Sequence, residues 1–100
     1  MPSYVMVLKR RISLKKEKAI YIGKALKPLR LATGMSQEEL AHRSKLDRSY
    51  ISDLETNKKS PSFATIIMLA NGLDMKTEEL VHEMGKTIDF VRFFEEEPEK

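Results

Sequence analysis

Two helix-start signals, eleven residues apart, constrain this chain more than anything else in it. Ser36 is followed three positions on by Glu39, the spacing of a capping box: the serine hydroxyl takes the Glu39 amide and the carboxylate returns to the Ser36 amide. The helix it opens runs to about Ser44, with Leu40 and Ala41 facing inward. Lys45-Leu46-Asp47 comes next, and Asp47 is a second N-cap residue. The next helix, residues 48–56, buries Ile51 and Leu54, three apart on one face. Asn57 tolerates the left-handed conformation that stops a helix. A connection of about three residues joins two short helices directly and leaves no room for a strand between them.

The flanking sequence supplies the rest of an all-α domain. Ser13 is placed to cap a helix beginning near Leu14, in which Ile20, Ile22, Leu26, Leu29, Leu31 and Ala32 recur at helical spacing. Pro28 lies inside that pattern and removes the amide that would bond the Lys24 carbonyl. The expectation is a kink near Lys24, or a break with a second piece starting close to Pro28. Gly34 stands where a left-handed C′ residue ends the segment. Ser62 caps a fourth helix carrying Phe63, Ile66, Ile67, Leu69, Ala70 and Leu73, with Gly72 near its end. Thr77 caps a fifth with Leu80, Val81 and Met84. Met35, Phe63 and Met68 are read as core. Three parts result: a basic and apolar extension over residues 1–15, a five-helix domain over 16–84, and an apolar, then acidic, extension over 85–100. Residues 4–8, YVMVL, suit a short strand, an apolar arm or a tail, and TIDFVRFF suits a helix or a strand. The two extensions could pair as strands, within one chain or across a dimer.

Charge is unevenly spread. The chain holds 18 Lys and Arg against 15 Asp and Glu, a net +3. Residues 1–61 carry 14 basic and 6 acidic side chains (+8), and residues 62–100 carry 4 and 9 (−5), which together give the +3. Lys9, Arg10, Arg11, Lys15, Lys16 and Lys18 fall within ten residues, opposed only by Glu17, and the chain closes on Glu95, Glu96, Glu97 and Glu99. Such polarity fits a polyanionic partner on one face, or a solvated stretch with a solubilising tail. The basic cluster either tracks phosphates, enters a minor groove as an arm, or is the exposed face of an extended helix.

Other functions are disfavoured. There is no cysteine, so disulfides, thiolate metal sites and a Cys nucleophile are excluded. His42 and His82 belong to no metal-ligand spacing and read as surface residues. No nucleophile elbow or Gly-rich phosphate loop is present, so the chain does not read as an enzyme, and no cofactor or metal is expected. Apolar runs reach about six residues, far below the roughly 18 of a membrane span. The N-terminal order, apolar before basic, is not that of a signal peptide. A soluble, cytoplasmic protein is expected.

Residues 22–80 resemble the XRE-type, lambda-repressor-like helix-turn-helix family. The resemblance is carried by LRLATGMSQEELAHRSKLDRSYISDLETNKKSPSFATIIMLANGLDM, and it covers about 60 of 100 residues. LDRSYISDLE is particularly similar to controller proteins of restriction–modification systems in that family. The resemblance implies a sequence-specific transcriptional regulator of double-stranded DNA. It implies that Gln37 bonds a phosphate at a helix start, and that Arg48, Ser49, Ser52 and Asp53 face the major groove. Arg48 would hold guanine O6 and N7, and Ser49 would contact several bases. Tyr50 would place its hydroxyl on a phosphate or its ring against a thymine methyl. Asp53 would accept from cytosine N4, orient Arg48, or stand exposed without a role. Asn57, Lys58 and Lys59 match the loop that grips the backbone. Arg30 and Glu55 match an ion pair between the first and third helices, with Arg30 also able to reach a phosphate.

Family members commonly dimerise through the fifth helix and the residues after it. That implies a dimer contact at Met84, Ile88, Phe90, Val91, Phe93 and Phe94, and a palindromic site read by two helices about 34 Å apart. Three residues depart from the pattern: Lys45 for the usual turn glycine, Ser44 for a common apolar residue, and Pro28. The alternative is an antitoxin that binds a toxin through its apolar ends and represses its own operon. A weaker third reading is a repressor-like fold that binds only protein.

Overall fold

The computed structural model describes residues 19–89. Among these residues five helices succeed one another: α1 (Gly23–Ala32), α2 (Gln37–Ser44), α3 (Arg48–Glu55), α4 (Phe63–Gly72) and α5 (Thr77–Gly85). No strand occurs among the described residues. The YVMVL segment, the six-residue basic cluster, and Phe90, Val91, Phe93 and Phe94 lie outside them. So does Ser13.

Every helix gives side chains to one core. Ile22, Leu26, Leu40, Ile51, Leu54, Leu69 and Leu80 have no measurable exposure. Burial of each contributes on the order of 1.5–3 kcal/mol. The expected inward pairs, Leu40 with Ala41 and Ile51 with Leu54, are all in this core, as is Met35. Two expected core residues are not. Phe63 is 68% exposed, because α4 begins at it and turns Ile66, Leu69 and Ala70 inward instead. Met68 is only half-buried.

Among the described residues the first helix begins at Gly23, and the expected start near Leu14 lies outside them. Ile20 and Ile22 precede it, with Ile22 as N-cap. Its start is set by a distant contact: the Gly23 amide donates to Asn57 Oδ1 at 2.8 Å. A Cβ on Gly23 would collide with the Glu55 carbonyl oxygen and with Asn57 Oδ1, so only glycine fits there. The helix then continues through Pro28 without a break. The lost bond falls on the Lys24 carbonyl in the first turns, where Lys24 and Pro28 are both exposed. Water can satisfy that carbonyl at little cost.

One device joins the first four helices to their successors. Each ends in a residue with positive φ: Gly34 (79°), Lys45 (61°), Asn57 (61°) and Asp74 (60°). In each, the next amide reaches back to close the helix: Met35 to the Arg30 carbonyl, Leu46 to Ala41, Lys58 to Asp53 and Met75 to Ala70. These are Schellman closures. Asn and Asp tolerate the left-handed region; Lys45 has no such help, and holding it there costs of order 1 kcal/mol.

Caps at the helix starts differ in kind. Ser36 Oγ accepts from the Glu39 amide at 3.0 Å, and Ser62 Oγ accepts from the Thr65 amide at 3.1 Å. Asp47 occupies the N-cap of α3 in extended geometry without a side-chain cap bond. At α5 the cap position is Lys76, not Thr77, which is already the first helical residue. There the stabilising bond runs the other way, from the Lys76 amide to Glu79 Oε1 at 2.8 Å.

The α2–α4 contact is tight. A Cβ on Gly72 would overlap Ser44 Oγ. Ser44 is 2% exposed, and its buried hydroxyl has no hydrogen-bond partner. An unsatisfied buried hydroxyl costs about 1–3 kcal/mol. Ser44→Ala is therefore expected to raise the unfolding free energy by about 1 kcal/mol in urea titrations. An unchanged or lowered midpoint would show that the hydroxyl is satisfied. Among the described residues no helix is long and apolar enough to cross a membrane.

Candidate nucleic-acid interface

The outward face of α3 is dictated by its inward one. Ile51, Leu54 and Glu55 turn into the protein, which leaves Arg48 and Ser49 exposed and Ser52 and Asp53 half-exposed. The start of α2 lies beside this face. Its first-turn amides have no partners within the helix, which suits an anion.

A line of hydrogen bonds runs from the core to that face. Arg30 is 7% exposed and Glu55 8%. Arg30 donates through Nε to Glu55 Oε2 at 2.5 Å and through Nη2 to Oε1 at 3.0 Å. Its remaining nitrogen donates to the Met35 carbonyl at 2.8 Å. This is a bidentate pair between α1 and α3, the strongest geometry for such ions. Gln37 extends it: its Nε2 donates to Glu55 Oε1 at 3.0 Å, and its Oε1 accepts from Arg48 at 3.3 Å. The amide of Gln37 is thereby oriented, nitrogen inward and oxygen toward Arg48.

Burial alone would push the Glu55 carboxyl up. Hydrogen bonds from Arg30 and Gln37, with the charges of Arg30 and Lys27, outweigh it and hold the group below its usual value. The hydrogen bond to Glu55 raises Arg30, against the opposing effect of burial. Both groups are firmly ionised at neutral pH.

The end of α3 is organised separately. Lys59 Nζ lies 3.6 Å from Asp53 Oδ2 and 5.9 Å from the centre of the Tyr50 ring. Tyr50 Oη shares a hydrogen bond with Thr65 Oγ1 at 3.3 Å, and Thr65 Oγ1 also accepts from Ser62 Oγ at 3.1 Å. Asn57, Lys58 and Lys59 form an exposed loop, with the Asn57 side chain tied to the first amide of α1.

The structure thus gathers Gln37, Arg48, Ser49, Tyr50, Ser52, Asp53, Asn57, Lys58 and Lys59 around the start of α2, α3 and the loop after it. Some expected roles change. Gln37, not Asp53, holds Arg48; Asp53 faces Lys59 instead. All three guanidinium nitrogens of Arg30 are engaged inside the chain. The Tyr50 hydroxyl is already bonded to α4. Met84 is 5% exposed, packed in the chain's own core, and Ile88 is half-buried against that core. The sequence reading passes over Thr65, whose one signal is its position three after the Ser62 cap. It also passes over the exposure of Phe63 and Ile67, for which the absence of any charge in α4 is the available sign. Among the described residues no group of three or more His, Asp or Glu side chains gathers to hold a metal ion.

Comparison with known proteins agrees with this geometry. Residues 26–80 match the helix-turn-helix family. The chain belongs to that family. Its XRE-type, lambda-repressor-like arrangement is the one found in the similar solved structures. The controller protein C.AhdI of Aeromonas hydrophila shares 43% identity at a TM-score of 0.57, over 61% of this chain and 92% of that one. Wild-type controller protein C.Esp1396I shares 31% at a TM-score of 0.61, over 67% and 86%. In sequence, the control protein C.MunI of a Mycoplasma species is 35% identical over 68 residues, 67% of this chain and 92% of that protein. The immunity repressor of Bacillus phage phi105 is 31% identical over 62 residues, 62% of this chain. The match spans only 43% of the phage protein's length.

Proposed function

We propose that this helix-turn-helix chain is a sequence-specific, DNA-binding transcriptional regulator that binds as a homodimer to a palindromic site. The observation that carries the reading is Arg48. It stands exposed at the start of α3 and is held from behind by Gln37 on α2. A guanidinium fork fixed at the leading end of an exposed helix is suited to guanine O6 and N7 in the major groove. Ser49, Ser52 and Asp53 lie along the same face, and the first-turn amides of α2 meet a phosphate. Lys58 and Lys59 neutralise backbone charge. The second protomer joins through Ile88, Phe90, Val91, Phe93 and Phe94, which sets two α3 helices about one DNA turn apart. The resemblance to controller and repressor proteins supports the same reading.

Selection of duplexes from a random pool, repeated at two salt concentrations, tests it. A defined palindrome supports the reading; retention of DNA without enrichment of any sequence refutes it. Lys58→Ala is expected to weaken every site alike and to make the slope of log K against log salt shallower by about 1. A change confined to one base position would instead place Lys58 in the groove. A second reading, an antitoxin that also represses its own operon, rests on the exposed Phe63 and Ile67 of α4. It predicts co-purification with a second small protein, and a clean homodimer counts against it.

A further inference from the structure

Asp53 and Lys59 are joined twice. The amides of Lys58 and Lys59 both donate to the Asp53 carbonyl, at 2.8 and 3.3 Å, which folds the loop after α3 back onto the end of that helix. The side chains then meet, with Lys59 Nζ 3.6 Å from Asp53 Oδ2. The ammonium also lies 5.9 Å from the centre of the Tyr50 ring, within reach of its π face. That ring is itself held, because its hydroxyl shares a hydrogen bond with Thr65 on α4. A carboxylate and a ring thus give the Lys59 ammonium a fixed place. That place is the far end of the helix face that carries Arg48, Ser49 and Ser52. The pair stays open to a ligand, since Asp53 is half-buried and Lys59 exposed.

A lone carboxylate on a surface that meets DNA is repelled by phosphates; paired with Lys59, Asp53 belongs to a neutral doublet. An ammonium has three donor hydrogens and a carboxylate about four acceptor sites, so the contact between them leaves both able to bind a third group. The result is a donor and an acceptor side by side, 3.6 Å apart. The major-groove edge of a G·C pair shows two adjacent acceptors, guanine N7 and O6, followed by the cytosine N4 donor. An A·T pair puts its donor between two separated acceptors, so the ammonium could reach only one of them.

We infer that Asp53 and Lys59 together read one G·C base pair: Lys59 donates to guanine N7 and O6, and Asp53 accepts from N4 of the paired cytosine. The inference rests on the DNA-binding reading above, and it moves Lys59 from the backbone to the base edges while Lys58 stays at the phosphates. Asp53 stands five residues along α3 from Arg48, about 7.5 Å at about 1.5 Å per residue. The doublet therefore falls roughly one or two base-pair steps from the guanine held by Arg48.

The test uses the full-length protein and the selected site, with all four base pairs tried at each position, for wild type, Lys59→Ala, Asp53→Ala and the double variant. Wild type is expected to prefer G·C by about tenfold at a position distinct from the one that Arg48 governs. Each single variant is expected to flatten that position and leave the Arg48 position unchanged. The double variant is expected to be no flatter than either single one, because the two side chains act as a unit. Removing both charges of a neutral pair is expected to leave the slope of log K against log salt as in wild type. At the same position, 7-deazaguanine is expected to weaken wild type about fivefold and Lys59→Ala not at all. N4-methylcytosine is expected to weaken wild type in the same way and Asp53→Ala not at all.

An intact base profile in Lys59→Ala, with a slope shallower by about 1 in the double variant, would make Lys59 a backbone cation and overturn the inference. Wild type that binds the modified duplexes as tightly as the unmodified one overturns it too, whatever the variants do to the fold. A preference that depends on Arg48 but at no position on Lys59 overturns the inference and leaves the reading of α3 standing. A preference that depends on Lys59 and Asp53 but not on Arg48 leaves the doublet standing and removes Arg48 from base reading. Wild type without any base preference overturns both.

Discussion

Glu55→Ala is expected to lower the unfolding free energy by about 3–5 kcal/mol. The substitution does not simply remove one contact. It strands the Arg30 guanidinium, 7% exposed, with only the Met35 carbonyl as partner. It also leaves Gln37 Nε2 without its acceptor. The expected size comes from the uncompensated buried charge, not from the attraction between the ions. Replacing both, as Arg30→Met with Glu55→Leu, should therefore restore much of the loss. Urea titrations of the wild type and the two variants measure this; equal losses in single and double variants would show that the pair itself is the stabilising element.

The same carboxylate fixes the direction of the pH response. Glu55 is held below its ordinary value of 4.5, so the folded state binds this proton less readily than the unfolded chain. Its contribution is complete above about pH 4.5 and is lost as pH falls through the lowered folded value. Arg30 is shifted upward, so its contribution persists throughout the neutral range and is lost only under strongly alkaline conditions. Wild type should weaken below pH 4.5 more steeply than Glu55→Gln, which has no carboxyl there to protonate. Parallel acid transitions would sink this assignment.

Arg48→Ala is expected to relax preference at one base position of the bound site by about 1–3 kcal/mol while leaving the fold intact. The residue is exposed and touches the rest of the protein through Gln37, so no buried group loses a partner. Discrimination measured with all four bases at each position should flatten at one position of each half-site and nowhere else. Gln37→Ala should reproduce part of that flattening, because Arg48 then lacks its brace. An Arg48→Ala variant with an unchanged preference profile would place base reading on other side chains of α3.

Some of this is readable from sequence because its causes are local. The Ser36 and Ser62 caps, the left-handed Gly34 and Asn57, and the inward Ile51 and Leu54 each depend on neighbours within one or two turns. The family resemblance puts Arg30 opposite Glu55, a contact that no local pattern reports. The features that sequence reasoning misplaces depend on distant partners. The start of α1 is set by Asn57, 34 residues away, and once the helix begins at Gly23 the missing Pro28 amide faces solvent instead of breaking a long helix. Phe63 obeys helical spacing, but α4 opens on it and leaves it outside. On sequence grounds Asp53 accepts from a base, orients Arg48 or stands exposed; only the fold gives Arg48 to Gln37 and Asp53 to Lys59.

The bridge through Gln37 also bears on engineering. An α3 sequence is not a portable cassette in this protein. Transplanting the eight residues of a relative's third helix would replace both Arg48 and Glu55, the carboxylate that fixes which end of the Gln37 amide points outward, but leave that amide behind on α2. A graft that ignores position 37 inherits a bracket cut for a different side chain. Retargeting this domain to a new operator is a problem in pairs, with positions 37 and 48 varied together.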